Sequence, residues 1–120
     1  MTNSGIGTDI VATKRIKDLL NRLGQKFKQK IYTQSEMEYC DQRASSFLHY
    51  SGRFAAKEAI AKAMYQAGVD AVIPFNKIEI MNDPQGRPHV SIQGYENFTC
   101  DVSISHEKDY AIAFARVEQL

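Results

Sequence analysis

Gly52-Arg53-Phe54-Ala55-Ala56-Lys57-Glu58-Ala59-Ile60-Ala61-Lys62-Ala63 is a helix written mostly in small residues, with one carboxylate and three cations set into it. Alanines with Phe54 and Ile60 allow close packing on a sheet. Arg53 and Lys57 stand four apart, as do Glu58 and Lys62, so each pair shares a side of the helix. Two readings of these charges stand. One is a solvated face laced by ion pairs. The other is a site in which one acid holds a metal ion while the bases neutralise phosphates.

Working outward from this helix, Thr33-Gln34-Ser35-Glu36 spells a capping box, since hydroxyl and carboxylate can each satisfy a free amide at a helix start. Met37, Cys40, Ala44, Phe47 and Leu48 continue a helical stripe behind it. Further upstream, Ile16, Leu19, Leu20, Leu23, Phe27 and Ile31 recur at helical spacing. Thr13 is placed to cap that helix, and Gly24 to interrupt or split it. Residues 4–11 form a short N-terminal strand with flexible glycines. The central helix runs over residues 53–66 and stops near Gly68.

Beyond Pro74 the period changes to two. Ile78 and Ile80 mark one strand and Val90 and Ile92 its return, joined by Asp83-Pro84-Gln85-Gly86 as the turn. Val102 and Ile104 begin a third strand, and Tyr110, Ile112, Phe114 and Val117 a fourth, with a short loop at residues 106–109. The pattern predicts an α+β fold: an N-terminal strand, about three helices, then an antiparallel sheet. The length suits a single domain over residues 1–120.

Composition narrows the function classes. No apolar run has the length of a membrane span, and no secretory signal is visible. Cys40 and Cys100 lack metal-ligand spacing. A disulfide between them is compatible with the count, and two reduced thiols in a cytoplasmic protein is the simpler reading. The net charge of +1 hides an asymmetry, because residues 14–30 carry +6 and the remainder −5. Such a block, with Arg15 and Arg22 in it, suits an acidic partner: nucleic acid, an anionic membrane or an acidic protein.

Asp9 and Glu58 are the acids of most interest. Oxygen ligands suit Mg²⁺, which takes one or two carboxylates and completes its shell with water and substrate phosphates. Arg53, Lys57 and Lys62 are placed to neutralise phosphate charge near such an ion. His106 follows Ser103-Ile104-Ser105 at a strand end, where loops often carry function. These residues form no hydrolase triad, because the nucleophile elbow is missing. His49 and His89 have no partner suggested by spacing.

Three segments together resemble holo-acyl-carrier-protein synthase, the short bacterial type of 4'-phosphopantetheinyl transferase. They are Gly5-Ile6-Gly7-Thr8-Asp9-Ile10-Val11, the Gly52-to-Ala63 helix, and Val102-Ser103-Ile104-Ser105-His106. Tyr32-Thr33 with Glu36, Tyr39 and Cys40, and the turn over residues 83–88, fit the same pattern. Phe54-x-x-Lys57-Glu58-Ala59 is its most specific piece. Thr8 departs from a common aliphatic residue, and Glu107-Lys108 varies a permissive loop.

The resemblance implies a phosphopantetheinyl-transferase-like fold and a magnesium-dependent reaction. 4'-Phosphopantetheine would pass from coenzyme A to a serine of apo-acyl-carrier protein, making the holo form for fatty acid biosynthesis and releasing adenosine 3',5'-bisphosphate. By the same resemblance, Asp9 and Glu58 match the Mg²⁺ ligands. Arg53, Lys57, Lys62 and His106 match positions near the coenzyme A phosphates or the reacting centre. Arg15, with Arg22 in the same basic segment, is assigned to the acidic carrier protein. The nucleophile would belong to that partner, and the general base would be Glu58 or, second, His106. A homotrimer is implied, with sites between protomers and His106 reaching a neighbour's site, and neither nucleic acid nor a membrane is expected as partner. The rival reading is a non-catalytic module that binds RNA or an acidic protein through its basic helix. It lacks aromatic stacking residues among the bases and leaves Lys57-Glu58 unexplained.

Overall fold

The computed structural model describes residues 3–120. The chain begins with β1 (Ser4–Ala12) and passes through α1 (Thr13–Leu23), α2 (Gln25–Ile31), α3 (Gln34–Asp41) and α4 (Ser46–Gln66). A 3₁₀ turn (Phe75–Lys77) leads into β2 (Ile78–Asn82) and β3 (Pro88–Ile92), followed by β4 (Phe98–His106) and β5 (Tyr110–Gln119). The α+β expectation holds, with two changes. There are four α-helices, because Gly24 at φ +53° divides the first expected helix into α1 and α2. The antiparallel strands also form two sheets, a three-stranded one ordered β1-β5-β4 and the hairpin β2-β3.

Helix α4 is the axis of the molecule. It starts seven residues before the expected Arg53, because the stripe read from Met37 to Leu48 belongs to two helices. The chain turns between them at Ser45, in the left-handed region at φ 54°. Its middle is buried on all sides, as expected for a helix with a sheet on one flank and helices on the other. At the far end Gly68, at φ +100°, closes a Schellman motif. Its N–H binds the Tyr65 carbonyl, and the Val69 N–H binds that of Met64.

The small residues let sheet and helix approach closely. A Cβ on Gly7 would lie 2.0 Å from the Ala59 carbonyl oxygen, and one on Gly5 would lie 2.0 Å from that of Ala63. The Gly-x-Gly of the N-terminal segment is thus a packing device between β1 and α4. In β5 it is Ala111, Ala113 and Ala115 that face α4, while the larger Tyr110, Ile112 and Phe114 face outward. With Ile6 and Ile10 of β1 they leave an apolar outer face on the three-stranded sheet. Thr13 does not cap α1. Ala12 is the N-cap, and the Thr13 hydroxyl donates instead to the Lys108 carbonyl in the β4–β5 turn.

The capping box of Thr33 and Glu36 forms as read, and Glu36 does more than cap. Its Oε1 accepts from the Thr33 N–H at 2.9 Å and from Lys57 Nζ at 2.6 Å, while Oε2 accepts from the Ile80 N–H at 2.9 Å. Lys57 Nζ also donates to the carbonyls of Ile31, Phe75 and Ile78 at 2.7–2.9 Å. Lys57 and Glu36 side chains are both fully buried. One ion pair therefore ties α2, α3, the 3₁₀ turn and β2 to α4.

Candidate functional site

Residues 5, 7, 9 and 11 of β1 share the face toward α4, so the close approach at Gly7 brings Asp9 against the next turns of that helix. Lys62 Nζ reaches back to Asp9 Oδ1 at 3.3 Å and to the Thr8 carbonyl at 3.0 Å. Glu58 sits one turn before Lys62, half-buried. Burial raises its carboxyl pKa first and the Asp9 carboxylate raises it further, while Lys62 and Arg15 pull it down. The two acids, 49 positions apart in sequence, thus feel each other's charge across the β1–α4 seam. The Arg15 guanidinium lies 5.4 Å from the centre of the Phe54 ring, which holds α1 beside the same seam.

This donor set fits a hard cation. Among the described residues no three His, Cys, Asp or Glu side chains come together as a metal-binding group. Mg²⁺ does not require three, since one or two carboxylates hold it and substrate phosphates complete its shell. Burial is the larger cause of the raised Glu58 carboxyl and the nearby Asp9 carboxylate the smaller, so the two acids face one another at the seam.

A second cluster lies along the other edge of the sheet, where β4 passes α4. There a cleft of about 290 Å³ is lined by Tyr39, His49, Arg53, Asn82, Ser103 and His106, among others. The β2–β3 hairpin forms one wall, and Arg53 pins it. Arg53 Nε donates to the Ile80 carbonyl at 3.2 Å and its Nη2 to Asn82 Oδ1 at 3.0 Å. The Asn82 amide then donates to the Gly86 carbonyl in the hairpin turn. Gly52 forms the floor, since a Cβ there would meet Ile104 at 3.0 Å and His106 at 3.6 Å.

The expected site residues therefore divide. Asp9, Glu58, Lys62 and Arg15 meet at the β1 edge. Arg53 and His106 meet at the β4 edge, with β5 between the two strands. Arg22 is exposed beside Arg15 on a shallow surface of α1. Lys57 is the correction. Its ammonium is enclosed by Glu36 and three carbonyls, with no surface left for a phosphate. Burial lowers its pKa, and the Glu36 carboxylate opposes that shift. Spacing placed Lys57 on Arg53's side of the helix, but spacing could not tell that this side is interior.

The fold is shared with solved proteins. A family model described as the 4'-phosphopantetheinyl transferase superfamily matches residues 5–115. A holo-[acyl-carrier-protein] synthase of Thermodesulfovibrio yellowstonii is 43% identical over 111 residues, covering 92% of this chain and 94% of the relative. The chain belongs to the holo-acyl-carrier-protein synthase family. Among solved family members, the Bacillus anthracis synthase in complex with CoA (3',5'-ADP) superposes with a TM-score of 0.82 at 32% identity, covering 97% and 96% of the two chains. The Helicobacter pylori synthase in complex with coenzyme A superposes at 0.79 with 34% identity, covering 93% and 98%. The chain is accordingly an enzyme of this family of phosphopantetheinyl transferases.

Two features of the synthase cleft were not read from the sequence. Tyr39 carries two guanidiniums over its ring, those of Arg43 and Arg53, at 3.7 and 4.3 Å from the centroid. His49 meets His106 edge to face, with ring centroids 5.3 Å apart. A signal for His49 existed, because it precedes Arg53 by four residues and so shares its side of the helix. Cys40 and Cys100 are both free thiols. Burial pushes each up to about 12, which makes them poor nucleophiles.

Proposed function

We propose that this enzyme transfers 4'-phosphopantetheine from coenzyme A to a serine of apo-acyl-carrier protein, with Mg²⁺ as cofactor. The observation that carries the proposal is the meeting of Asp9, Glu58 and Lys62 at the β1–α4 seam. Asp9 and Glu58 would hold the ion, which when bound stabilises negative charge on the pyrophosphate oxygens.

The chain's own residues supply the rest. Lys62 is more than half exposed and tethered only through Asp9 and the Thr8 carbonyl, so its ammonium can turn onto the leaving phosphate. The general base in this reading is Glu58, ahead of His106. It takes the proton of the carrier serine hydroxyl, directly or through a water. The serine oxygen forms a bond to the phosphorus of the pantetheine phosphate. The bridging bond of the pyrophosphate breaks, and adenosine 3',5'-bisphosphate leaves with the electron pair. Arg15 and Arg22, exposed on α1, would receive the acidic carrier.

The reading includes a homotrimer. Within one chain Arg53 and His106 stand at the sheet edge opposite Asp9 and Glu58, so a complete site asks for one edge from each of two protomers. The outward face formed by Ile6, Ile10, Tyr110, Ile112 and Phe114 is the apolar surface such an assembly would cover. We further place the enzyme in the cytoplasm, in fatty acid biosynthesis. Two free thiols suit a reducing compartment, and no helix among the described residues is long and apolar enough to cross a membrane.

The test is direct. The protein is mixed with coenzyme A, Mg²⁺ and an apo carrier protein, and the carrier is weighed by mass spectrometry. A carrier heavier by one phosphopantetheine, only when Mg²⁺ is present, is expected. An unmodified carrier with a folded, Mg²⁺-saturated protein refutes the proposal.

A further inference from the structure

The cleft at the β4 edge holds more basic groups than Arg53 and His106. His49, on the first turns of α4, presents its ring edge to face against His106 at 5.3 Å and against Tyr39 at 6.0 Å. Among the described residues, neither His49 nor His106 makes a side-chain hydrogen bond within the chain, although both line a cleft of about 290 Å³. The charged or titratable groups set against His49 come from each surrounding element. They are His106 from β4, Arg53 from α4, Arg43 from the segment before α4, and the Tyr39 phenol from α3. No carboxylate among them balances the bases.

We propose that His49 is a phosphate-binding residue that works with His106 and takes up a proton as a phosphate group of coenzyme A enters the cleft. The inference rests on the coenzyme A reading above. The Arg53 guanidinium and two unpartnered imidazoles make a concave basic lining, with Arg43 adding charge from over the Tyr39 ring, the chemistry of a phosphate dianion site. In the chain alone, burial first, then His106, Arg53 and Arg43, hold His49 below the ordinary histidine value, so near neutral pH the ring is uncharged. Two negative charges among these groups reverse that balance and draw a proton onto the pair. The sign follows while the phosphate is a dianion: above its own second ionisation, at pH ~6, affinity falls as pH rises through the pKa of the ligand-bound state.

The test is titration calorimetry of coenzyme A binding, run in buffers of different ionisation enthalpy, on wild type and on His49→Phe. Phenylalanine keeps the edge-to-face packing. Wild type should take up a fraction of a proton per ligand near pH 7.5 and lose about threefold in affinity between pH ~6.8 and pH ~8, where the phosphate is a dianion. His49→Phe should take up markedly less and show a flatter profile. As a check independent of any variant, the His49 ring resonances of wild type should move toward the protonated position when coenzyme A is added. Equal proton uptake in both proteins, or none in wild type that still binds coenzyme A and modifies the carrier, overturns this proposal and leaves the transfer reading intact. Wild type that binds no coenzyme A overturns both.

Discussion

Replacing Lys57 by methionine tests whether the most distinctive lysine of the central helix serves the ligand or the fold. Methionine matches the length of the stem and removes the charge. The structure sets the cost. Glu36 loses a 2.6 Å partner, and the carbonyls of Ile31, Phe75 and Ile78 lose their ammonium donor, all in the interior. Glu36 keeps the N–H groups of Thr33 and Ile80, so it is left partly satisfied rather than bare. Breaking a buried pair by removing one member costs about 3–5 kcal/mol. The two retained hydrogen bonds argue for the lower half of that range, about 3–4 kcal/mol. A domain with a total stability of about 5–15 kcal/mol loses a large share of it. Glu36→Gln in the same chain removes the stranded charge and should return about 2 kcal/mol as a coupling energy. Urea unfolding at one fixed protein concentration measures both, since any self-association makes stability depend on concentration. The reasoning fails if Lys57→Met costs less than about 1 kcal/mol while coenzyme A affinity collapses, for then the ammonium faces the ligand.

Three further outcomes are expected. Glu58→Gln should abolish transfer yet raise the melting temperature of the metal-free protein. The folded carboxyl pKa is raised, so its ionisation weakens the fold at neutral pH, and the difference from wild type should vanish as pH drops below the carboxylate range in thermal scans. Gly7→Ala should destabilise by about 4 kcal/mol or more, because the new methyl falls 2.0 Å from a helix carbonyl, and denaturant titration should show the loss. Phe114→Arg, on the outward face of β5, should leave the circular dichroism intact but prevent the proposed trimer, so that the variant sediments as a monomer where wild type sediments as a larger species, with activity lost in parallel.

The local elements were legible because their signals are local. The capping box at Thr33 and Glu36, the glycine stop at Gly68 and the turn at residues 83–86 each formed where the sequence put them. The start of α4 was not legible, because Gly52 suggests a boundary yet lies inside the helix, while the chain is turned upstream by one serine in the left-handed region. The orientation of β5 was also hidden. Large apolar residues at 110, 112 and 114 suggest the core face by hydrophobicity alone, yet the alanines between them face α4, since only small residues fit where glycines of β1 already bring the sheet against the helix.

The order of residue types along the chain was enough to name the family and the central helix, because those motifs are contiguous or carry their own spacing. Which lysine touches solvent, which histidine has a neighbour and which acids share a field were set by the packing of β1 and β4, the two edges of one sheet, against one helix. Periodicity states that two residues share a side, but whether that side is wet or dry depends on what the rest of the chain lays over it. Lys57 and Lys62 differ by five positions and little else in sequence, and tertiary packing put one in the core and the other at the seam.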